Sequence, residues 1–428
     1  MMKHVTDEQE VLEALHDGSN VFITGSAGSG KTYLASEFAK TAEGVALTAT
    51  TGAAALNLGG ETIHRLLKLG ICTRDFQAER IIGRWLNCNR SGKPWDKNAW
   101  DTLSKIKTII IDEVSMLRRD QFELIDIVLS AVKDNHLPFG GVQMVLVGDF
   151  FQLPPVVTPS DASRYPDLKQ PFCFQSPLWN QANFRSFNLK TNYRQGDGEF
   201  LDALEQIRIG NLTDDARKLL ESRYKAKLEI PFEPVKLFSL KGNVNSENIA
   251  CLKKLPGDKI LSTAEFYGKE YDIGVLKKEC PAEEKLYFGV GAQVIMLTNT
   301  DRWVNGTMGI IKEINPLKIK LSTGETIVAA QHKWERVNYT VDKDKKVASK
   351  VVAEMHQYPF KLGYASTIHK SQGLTLDYVD IDLSNCFAAG QAYVALSRAK
   401  TLEGLTLRGW NSDSIKADLR VIDFYKYR

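Results

Sequence analysis

The sequence predicts an α/β protein with two doubly wound domains, each a parallel sheet covered by helices on both faces. Short apolar runs alternate with helical patterns through the first half of the chain, which is typical of parallel α/β domains. The same pattern begins again near Phe187 and resumes near Phe360. Between these two points, short alternating segments separated by turn residues predict a small β-barrel inserted into the second domain.

Four apolar runs are the strand candidates of the first domain: Val21–Thr24, Val45–Thr48, Thr108–Asp112 and Gln143–Val147. Each run ends at a polar or glycine-containing segment. Because ligands of open parallel sheets bind at the carboxyl ends of the strands, we expect the functional residues in these segments. The stretch from about Leu67 to Lys107 interrupts the alternation and predicts an inserted subdomain; it contains Trp85, Trp95 and Trp100.

The candidate strands of the inserted β-unit are Gln293–Leu297, Gly309–Ile314, Lys318–Leu321 and Thr326–Ala330. These patterns together predict the domain boundaries. The first domain covers residues 1–185, with the small insertion at about 65–100; the second domain covers 186–253 and 359–428, with the β-unit at 254–358 between its two parts.

Bulk properties narrow the function only a little. The chain has 428 residues, enough for roughly two to four domains. Its 55 Lys and Arg against 52 Asp and Glu give a net charge of +3. This balance neither requires nor excludes a nucleic-acid partner, because a basic groove can lie on a nearly neutral protein.

Cysteine usage and hydropathy predict the cellular compartment. The six cysteines are scattered without a CxxC pair, which favours reduced thiols over zinc ligands or disulfides; they are Cys72, Cys88, Cys173, Cys251, Cys280 and Cys386. The acidic N-terminal segment lacks a secretory or transit pattern. No apolar run approaches the ~20 residues that span a bilayer. We therefore expect a soluble, cytoplasmic protein without a membrane partner.

The most informative motif is GSAGSGKT, Gly25 to Thr32, which follows an apolar run and precedes a helical pattern. It fits the phosphate-binding pattern G-x-x-x-x-G-K-[S/T]. The glycines let backbone N–H groups surround phosphates, Lys31 would reach the β- and γ-phosphates, and the Thr32 hydroxyl would bind Mg²⁺. The alternative is a glycine turn with a chance lysine. The motif predicts nucleoside triphosphate binding but not the use of the energy.

Other candidates complete a nucleotide site. Thr108–Asp112 and Glu113 form an apolar strand that ends in two carboxylates, so Asp112 would hold Mg²⁺ and Glu113 would deprotonate the attacking water. Gln152, after a second strand, would sense the γ-phosphate. Arg194 and Arg398 would stabilise charge on that phosphate in the transition state, although a single arginine is more often a surface residue or part of an ion pair.

In this order and spacing, these segments resemble superfamily 1 DNA helicases, most closely the superfamily 1B Pif family, which is related to RecD. The resemblance covers nearly the whole chain. Its most specific segments are Ala49–Leu56 with Gly60–His64, Asp112–Met116, Pro138–Gln143 leading into GDFFQLPPV, Gly363–Gly373 and Gln391–Arg398. One departure is Thr50, where many members have proline. The resemblance implies a cleft between two RecA-like P-loop domains, a strand-separating wedge after His64 and an SH3-like β-insertion.

The resemblance also assigns roles to individual residues. The nucleotide site comprises Gln9 for adenine recognition, Gly25, Ser26, Ala27, Gly28, Ser29, Gly30, Lys31 and Thr32 for phosphate and metal, Asp112 and Glu113 for hydrolysis, and Gln152, Arg194, Arg398 and Gly373 at the γ-phosphate. The single-stranded DNA contacts are Thr51, Gly52, His64, Thr367, His369 and Lys370. Hydroxyl, imidazole and ammonium donors of this kind bind phosphates without reading bases.

The implied function is an ATP-dependent DNA helicase that uses ATP and Mg²⁺, moves 5′-to-3′ on single-stranded DNA, and unwinds tailed duplexes. The resemblance extends this to G-quadruplexes, RNA–DNA hybrids, DNA repair, recombination and telomere maintenance, and we expect a monomer in the absence of DNA. Two other classes stay open. An ATP-gated binding protein would share every motif, whereas a small-molecule P-loop kinase would leave Arg194, Arg398 and the C-terminal half unexplained.

Overall fold

A six-stranded parallel sheet organises the first domain. The computed structural model describes residues 7–69, 75–91, 96–157, 169–196, 198–239 and 244–426. The sheet order is β3-β2-β4-β5-β1-β6. The strands are β1 Val21–Gly25, β2 Val45–Ala49, β3 Glu61–Thr62, β4 Thr108–Asp112, β5 Gln143–Val147 and β6 Arg185–Leu189. The four predicted strands are confirmed, with small shifts at their ends.

Helices cover both faces of this sheet. They are α1 Asp7–His16, α2 Lys31–Thr41, α3 Gly52–Leu58, α4 Ile63–Leu66, α5 Asp75–Ser91, α6 Lys97–Lys105, α7 Arg119–Lys133 and α8 Pro177–Gln181. Because side chains alternate along a strand, neighbouring residues enter different cores. Ile109 and Ile111 of β4 lie in one buried cluster, and Ile110 lies in the other.

The second domain is a four-stranded parallel sheet in the order β18-β7-β19-β20. Its strands are β7 Val235–Phe238, β18 Ala365–Thr367, β19 Val379–Asp382 and β20 Leu405–Gly409, and its helices are α9 Gly198–Arg208, α10 Asp214–Ser222, α11 Val244–Lys254 and α13 Gln391–Leu396. The predicted pair of parallel α/β domains is thus present.

The inserted region forms three antiparallel sheets, ordered β14-β13-β12-β11-β17, β15-β16-β9 and β10-β8. Its elements are β8 Ile260–Thr263, β9 Glu265–Gly268, α12 Glu270–Glu279, β10 Lys285–Phe288, β11 Gln293–Met296, β12 Met308–Ile314, β13 Leu317–Leu321, β14 Thr326–Val328, β15 His332–Val341, β16 Val347–Gln357 and β17 Phe360–Leu362. The four candidate strands are present with small shifts. That this insert has an SH3-like fold stays a prediction.

Three placements differ from the predicted domain boundaries. β17, expected in the second part of the second domain, which begins at residue 359, pairs antiparallel with β11 and belongs to a sheet of the inserted region. β6, expected to begin the second domain near residue 186, pairs in parallel with β1 and completes the first sheet. The last helix, α14 Leu419–Lys426, was expected in the second domain but packs on the first. An apolar strand or an amphipathic helix has the same local pattern beside either sheet, so only the tertiary contacts separate these alternatives.

The contacts of α14 are extensive. Val421 is fully buried in the core of the first domain. The ring of Phe424 stacks on Phe174 with centroids 4.2 Å apart. The Tyr425 hydroxyl lies 2.7 Å from the Thr24 hydroxyl, at the end of β1. The chain therefore crosses back from the second domain to the phosphate-loop strand.

The predicted wedge region is described only in part, since residues 70–74 and 92–95, and with them Trp95, lie outside the described residues. Trp85 is fully buried, and its ring stacks on Trp100 at 6.1 Å. Among the residues with described positions, none of the helices combines the length and the apolar character needed to cross a bilayer.

Replacing Phe424 with alanine tests the docking of α14. The substitution should cost about 3 kcal/mol, because it removes an aromatic ring from a packed cluster, and should lower the thermal unfolding midpoint by about 5 °C or more. Differential scanning calorimetry measures this change. Tyr271→Ala is the control, since Tyr271 is 76% exposed. Equal midpoints for the two variants would show that α14 does not stabilise the first domain.

Candidate nucleotide and DNA sites

The phosphate loop connects β1 to α2 and has a backbone that favours glycine. Gly25, Gly28 and Gly30 have φ values of +145°, +90° and +81°. A side chain at Gly28 would be unfavourable for a second reason, since its Cβ would lie 2.6 Å from the Cβ of Arg194. The loop therefore needs glycine both for its conformation and for the close approach of the segment that carries Arg194.

Lys31 occupies the interior of this loop. Its ammonium group donates hydrogen bonds to the carbonyl oxygens of Gly25 (2.9 Å) and Ser26 (2.8 Å). Burial lowers the pKa of Lys31 to about 8, partly offset by nearby carboxylates. Phosphate oxygens are charged acceptors and bind an ammonium group more strongly than these neutral carbonyls. The lysine is thus positioned to exchange loop carbonyls for phosphate.

Thr32 and Asp112 offer oxygen ligands to a cation. The Thr32 hydroxyl donates to a carboxylate oxygen of Asp112 at 2.9 Å, although the two residues lie on different elements, α2 and the end of β4. Burial raises the pKa of Asp112. Mg²⁺ prefers hard oxygen ligands and retains several waters. A hydroxyl and a carboxylate beside a phosphate loop fit this ion.

Glu113 has the properties expected of a general base. It adopts a left-handed backbone conformation with φ 55°. Burial, and then the neighbouring Asp112, raise the pKa of Glu113 to about 7. A base with a pKa near the working pH combines a useful deprotonated fraction with adequate strength. The position and environment of Glu113 therefore suit activation of a water molecule.

One residue that received no role from the sequence links the candidates directly. The side-chain amide of Gln372 donates to Glu113 Oε2 at 2.8 Å and to Gln152 Oε1 at 3.3 Å. Gln372 lies in the second domain, next to Gly373, which has φ +81°. Its only sequence signal is its position within the segment Gly363–Gly373. It connects the two walls of the cleft.

The loop that carries Gln152 is held by a buried ion pair. Arg208 of α9 binds the two carboxylate oxygens of Asp149 at 2.9 and 3.0 Å. The guanidinium also lies over the rings of Phe151 (4.9 Å) and Tyr425 (5.8 Å). A bidentate pair of this kind fixes orientation as well as distance. The second domain and α14 therefore determine the position of the Gln152 loop.

Two arginine side chains lie in the same cleft, the half-buried Arg194 and the fully buried Arg398. Arg194 donates to the hydroxyl of Thr375 at 2.9 Å, and Arg398 donates to the carbonyl of Val394 at 2.8 Å. Burial lowers the pKa of both, and the proximity of Arg194 contributes to a pKa of about 9 for Arg398. Within the described part of the chain, no carboxylate forms an ion pair with either side chain.

The adenine candidate lies on α1, at the edge of the same site. Gln9 is exposed there, one residue after Glu8. The hydroxyl of Tyr193, whose ring is 68% exposed, donates to Glu8 at 2.8 Å. The same ring covers the phosphate loop, since a Cβ at Gly30 would lie 3.3 Å from it. Sequence reasoning missed Tyr193, and its only signal was its position directly before Arg194.

The candidate DNA contacts divide between the two domains. Thr51 is the N-cap of α3, where its hydroxyl accepts the N–H of Ala54 at 3.3 Å, and Gly52 is the first residue of that helix. His64 follows β3, and burial lowers its pKa. Thr51 and His64 thus lie just beyond the carboxyl ends of neighbouring strands of the first sheet.

The second group of DNA candidates lies at the carboxyl end of β18. Thr367 is buried, and its hydroxyl accepts the N–H of Lys370 at 3.1 Å. His369 and Lys370 are exposed in the short helical turn His369–Ser371. The exposed donors of this turn can therefore reach a ligand, whereas Thr367 shapes the turn that presents them.

Comparisons with known proteins identify the family of this chain. The family described as "PIF1-like helicase" matches residues 4–218. The ATP-dependent DNA helicase Pif1 of Bdellovibrio bacteriovorus is 35% identical over 425 residues, which cover 98% of this chain and 91% of that protein. The chain belongs to the PIF1-like helicase family. The human helicase PIF1 is 32% identical, and the match spans 98% of this chain but only 63% of that longer protein.

Solved structures of Pif1 from Bacteroides are similar to the whole chain. The TM-score is 0.86 for the complex with ADP-AlF4 and 0.84 for the unliganded protein, each at 29% identity, with coverage of 100% of this chain and 97% of the other. For the protein bound to single-stranded DNA it is 0.64 at 30% identity, with the same coverage. The predicted fold of two RecA-like domains and the predicted enzyme class, an ATP-dependent DNA helicase, are confirmed.

Lys31→Ala tests the nucleotide site. The variant should lose ATP hydrolysis by at least about 100-fold, because the charge that binds the phosphates is removed, while its affinity for single-stranded DNA without nucleotide stays close to that of the wild type. Steady-state phosphate release and DNA titration measure the two properties. Lys40→Ala is the control, since Lys40 lies on the same helix with a surface ion pair to Glu37. Wild-type turnover in Lys31→Ala would refute the site.

The pH dependence tests Glu113 and Gln372 together. Because Glu113 acts in its deprotonated form, kcat/KM for ATP should rise as pH increases through about 7, the pKa of the carboxyl in the free protein. Gln372→Leu removes a hydrogen bond that favours the charged form. Its acidic limb should therefore move upward by about half a pH unit.

Gln331→Leu is the matched control for this profile, because Gln331 is exposed and lies in the inserted domain. Its pH profile should equal that of the wild type. A profile for Gln372→Leu that coincides with the wild type, or that moves to lower pH, would contradict the role of the Gln372 amide at Glu113.

Proposed function

We propose that this protein hydrolyses ATP in the cleft between its two domains, moves 5′-to-3′ along single-stranded DNA and separates the strands of tailed duplexes. The observation that carries the proposal is the pair of guanidinium groups in the cleft, the half-buried Arg194 and the fully buried Arg398, which form no ion pair with a carboxylate among the described residues. Their lowered pKa values reflect the cost of burying charge. A γ-phosphate supplies the missing negative charge.

The residues of the first domain perform the chemistry in this proposal. Lys31 and the loop N–H groups bind the phosphates, and the Mg²⁺ ion held by Thr32 and Asp112 would neutralise charge on the phosphate oxygens. Glu113 removes a proton from the attacking water. The Gln372 amide binds both Glu113 and Gln152, so a shift of this amide toward Gln152 would free the Glu113 carboxylate to accept the proton of that water.

The residues of the second domain couple ATP to movement. Arg194 donates to Thr375 and Ser397 of that domain, and the Ala27 N–H of the phosphate loop donates to the Tyr393 hydroxyl at 2.9 Å. A ligand bound by both walls stabilises the closed cleft, and hydrolysis removes that stabilisation. With DNA contacts on both domains, alternate closure and opening would carry the protein along a strand.

The base of the nucleotide would lie beside Gln9 and Tyr193. The exposed ring of Tyr193 offers a flat surface next to the phosphate loop, and aromatic surfaces stack well on purine rings. The Gln9 side chain would then contact the edge of the adenine. This arrangement is consistent with ATP as the cofactor.

The DNA partner is inferred from the family and from the exposed donors. Bacteroides Pif1 has been solved bound to single-stranded DNA. Another similar structure, at 29% identity, concerns DNA unwinding at forked duplex DNA by two coordinating Pif1 helicases. His369 and Lys370 are exposed donors suited to phosphates. Direction of movement, activity on G-quadruplexes or RNA–DNA hybrids, and the monomeric state without DNA are parts of the proposal. The roles in repair, recombination and telomere maintenance stay predictions.

Duplexes with a single-stranded tail test function and direction together. With ATP and Mg²⁺, the protein should displace the strand from a duplex with a 5′ tail and leave the duplex with a 3′ tail or with blunt ends intact. Hydrolysis should rise strongly with single-stranded DNA, because closure of the cleft and DNA binding are coupled. Gel-based strand displacement and phosphate release measure these properties.

Lys31→Ala serves as the inactive control in both assays. Unwinding only from a 3′ tail would reverse the direction, while DNA-stimulated hydrolysis without displacement of any strand would favour the ATP-gated binding protein. Hydrolysis that is equally fast without DNA would refute the proposed motor.

A further inference from the structure

The inserted β-domain packs against the DNA-contact segment of the first domain. Leu56 of α3 contacts an apolar cluster of the insert that includes Leu276 and Trp334. The hairpin β15–β16 reaches further, since the Tyr339 hydroxyl accepts the N–H of Leu47 at 2.7 Å. The insert therefore holds one of its own acidic side chains close to the candidate DNA contacts.

That side chain is Glu279, the last residue of α12. It lies directly over Gly52, because a Cβ at Gly52 would come within 2.8 Å of the Glu279 side-chain carbon Cδ. The carboxylate also pairs with Arg65 at 3.3 Å, and the two side chains are only 17% and 16% exposed. Arg65 directly follows His64, so the acidic group contacts the segment that is expected to bind DNA.

An arginine side chain can bind a carboxylate and a DNA phosphate in the same way. Both present anionic oxygens that a guanidinium group binds through two donors. Because Gly52 has no side chain, the side chain of Glu279 packs against its backbone, with the methylene carbon Cγ nearest and the carboxyl carbon Cδ at 2.8 Å from the position that a Cβ would take. A second arginine nearby, Arg336, forms its ion pair with Asp272. Glu279 forms its ion pair with Arg65.

We propose that Gly52 and Arg65 form a phosphate-binding subsite of the DNA groove, and that Glu279 occupies this subsite in the DNA-free protein. A backbone phosphate of single-stranded DNA binds by displacing the carboxylate and taking over Arg65. The inference rests on the proposed function, because it requires that the first domain binds DNA along Thr51–His64. It adds Arg65 to the contacts and assigns a competing role to the insert.

Removal of the Glu279 charge should strengthen DNA binding. A binding site that is occupied by an internal competitor has its apparent affinity reduced by the fraction of protein in the occupied form. Glu279→Gln keeps the size of the side chain but removes its charge, so the full-length variant should bind single-stranded DNA at least about fivefold more tightly than the wild type. Fluorescence anisotropy with a labelled oligothymidylate, without nucleotide, measures the affinity.

Glu270→Gln is the matched control. Glu270 lies at the opposite end of the same helix, is exposed, and loses the same charge, so its affinity should stay within about twofold of the wild type. Glu279→Ala is a second variant with the same expected direction. Thermal unfolding midpoints of all three variants verify that they are folded.

Arg65 is tested by the salt dependence of binding. In the Glu279→Gln background, Arg65→Gln should weaken binding and reduce the slope of log affinity against log salt by about 0.7, the value for one lost contact to a single-strand phosphate. An unchanged slope would overturn the assignment of Arg65. Affinity of both Glu279 variants equal to or weaker than that of the wild type would overturn the competition. A wild-type protein that fails to bind single-stranded DNA would refute the proposed function as well.

Discussion

The buried positive charge in the interdomain cleft is the constraint on which the other features of the site depend. Arg398 is fully buried and Arg194 is half-buried, and Arg194 lies close enough to lower the pKa of Arg398. Glu113 lies close enough to stabilise the charge of both. Such an arrangement is costly in a protein interior unless an anion completes it. In the proposed function a triphosphate does so, and closure of the cleft would then depend on ATP.

The polar groups that the proposed function assigns to ATP binding and hydrolysis contact one another or the phosphate loop. Lys31 donates to carbonyl oxygens of the phosphate loop, and the Tyr393 hydroxyl accepts an N–H of that loop. Gln372 donates to Glu113, the candidate general base. Behind these exchangeable contacts lies a fixed one, the buried Asp149–Arg208 pair with its aromatic neighbours. The cleft thus combines a rigid connection between the domains with polar groups that change partners. In the further proposal, the contact of Glu279 with Gly52 is likewise one that a ligand replaces, in this case a DNA phosphate.

Much of the nucleotide site could be predicted because its residues follow strands. The candidates lie at or just beyond the carboxyl ends of β1, β4 and β5, and neighbouring parallel strands bring these ends together; they are Gly25–Thr32, Asp112 with Glu113, and Gln152. The roles of Arg194 and Arg398 could be predicted only from the resemblance to a known family, because the sequence around an arginine does not show whether it binds a γ-phosphate or lies on the surface. Gln372 and Tyr193 had no signal beyond their positions beside other candidates, and Glu279 had none, because each contacts residues that are distant in the chain.

The sequence by itself determined the chemical groups, the strand-and-loop positions that present them, and the family. These properties depend on short segments, and the hydrophobic periodicity and glycine content of a short segment can be recognised in the sequence alone. The tertiary structure alone decided that β6 completes the first sheet, that α14 returns to the first domain, and that an acidic side chain of the insert covers Gly52. These are contacts between segments that are far apart in the chain. Their free energy comes from burying surfaces against each other, and a local sequence pattern does not show which two surfaces will meet.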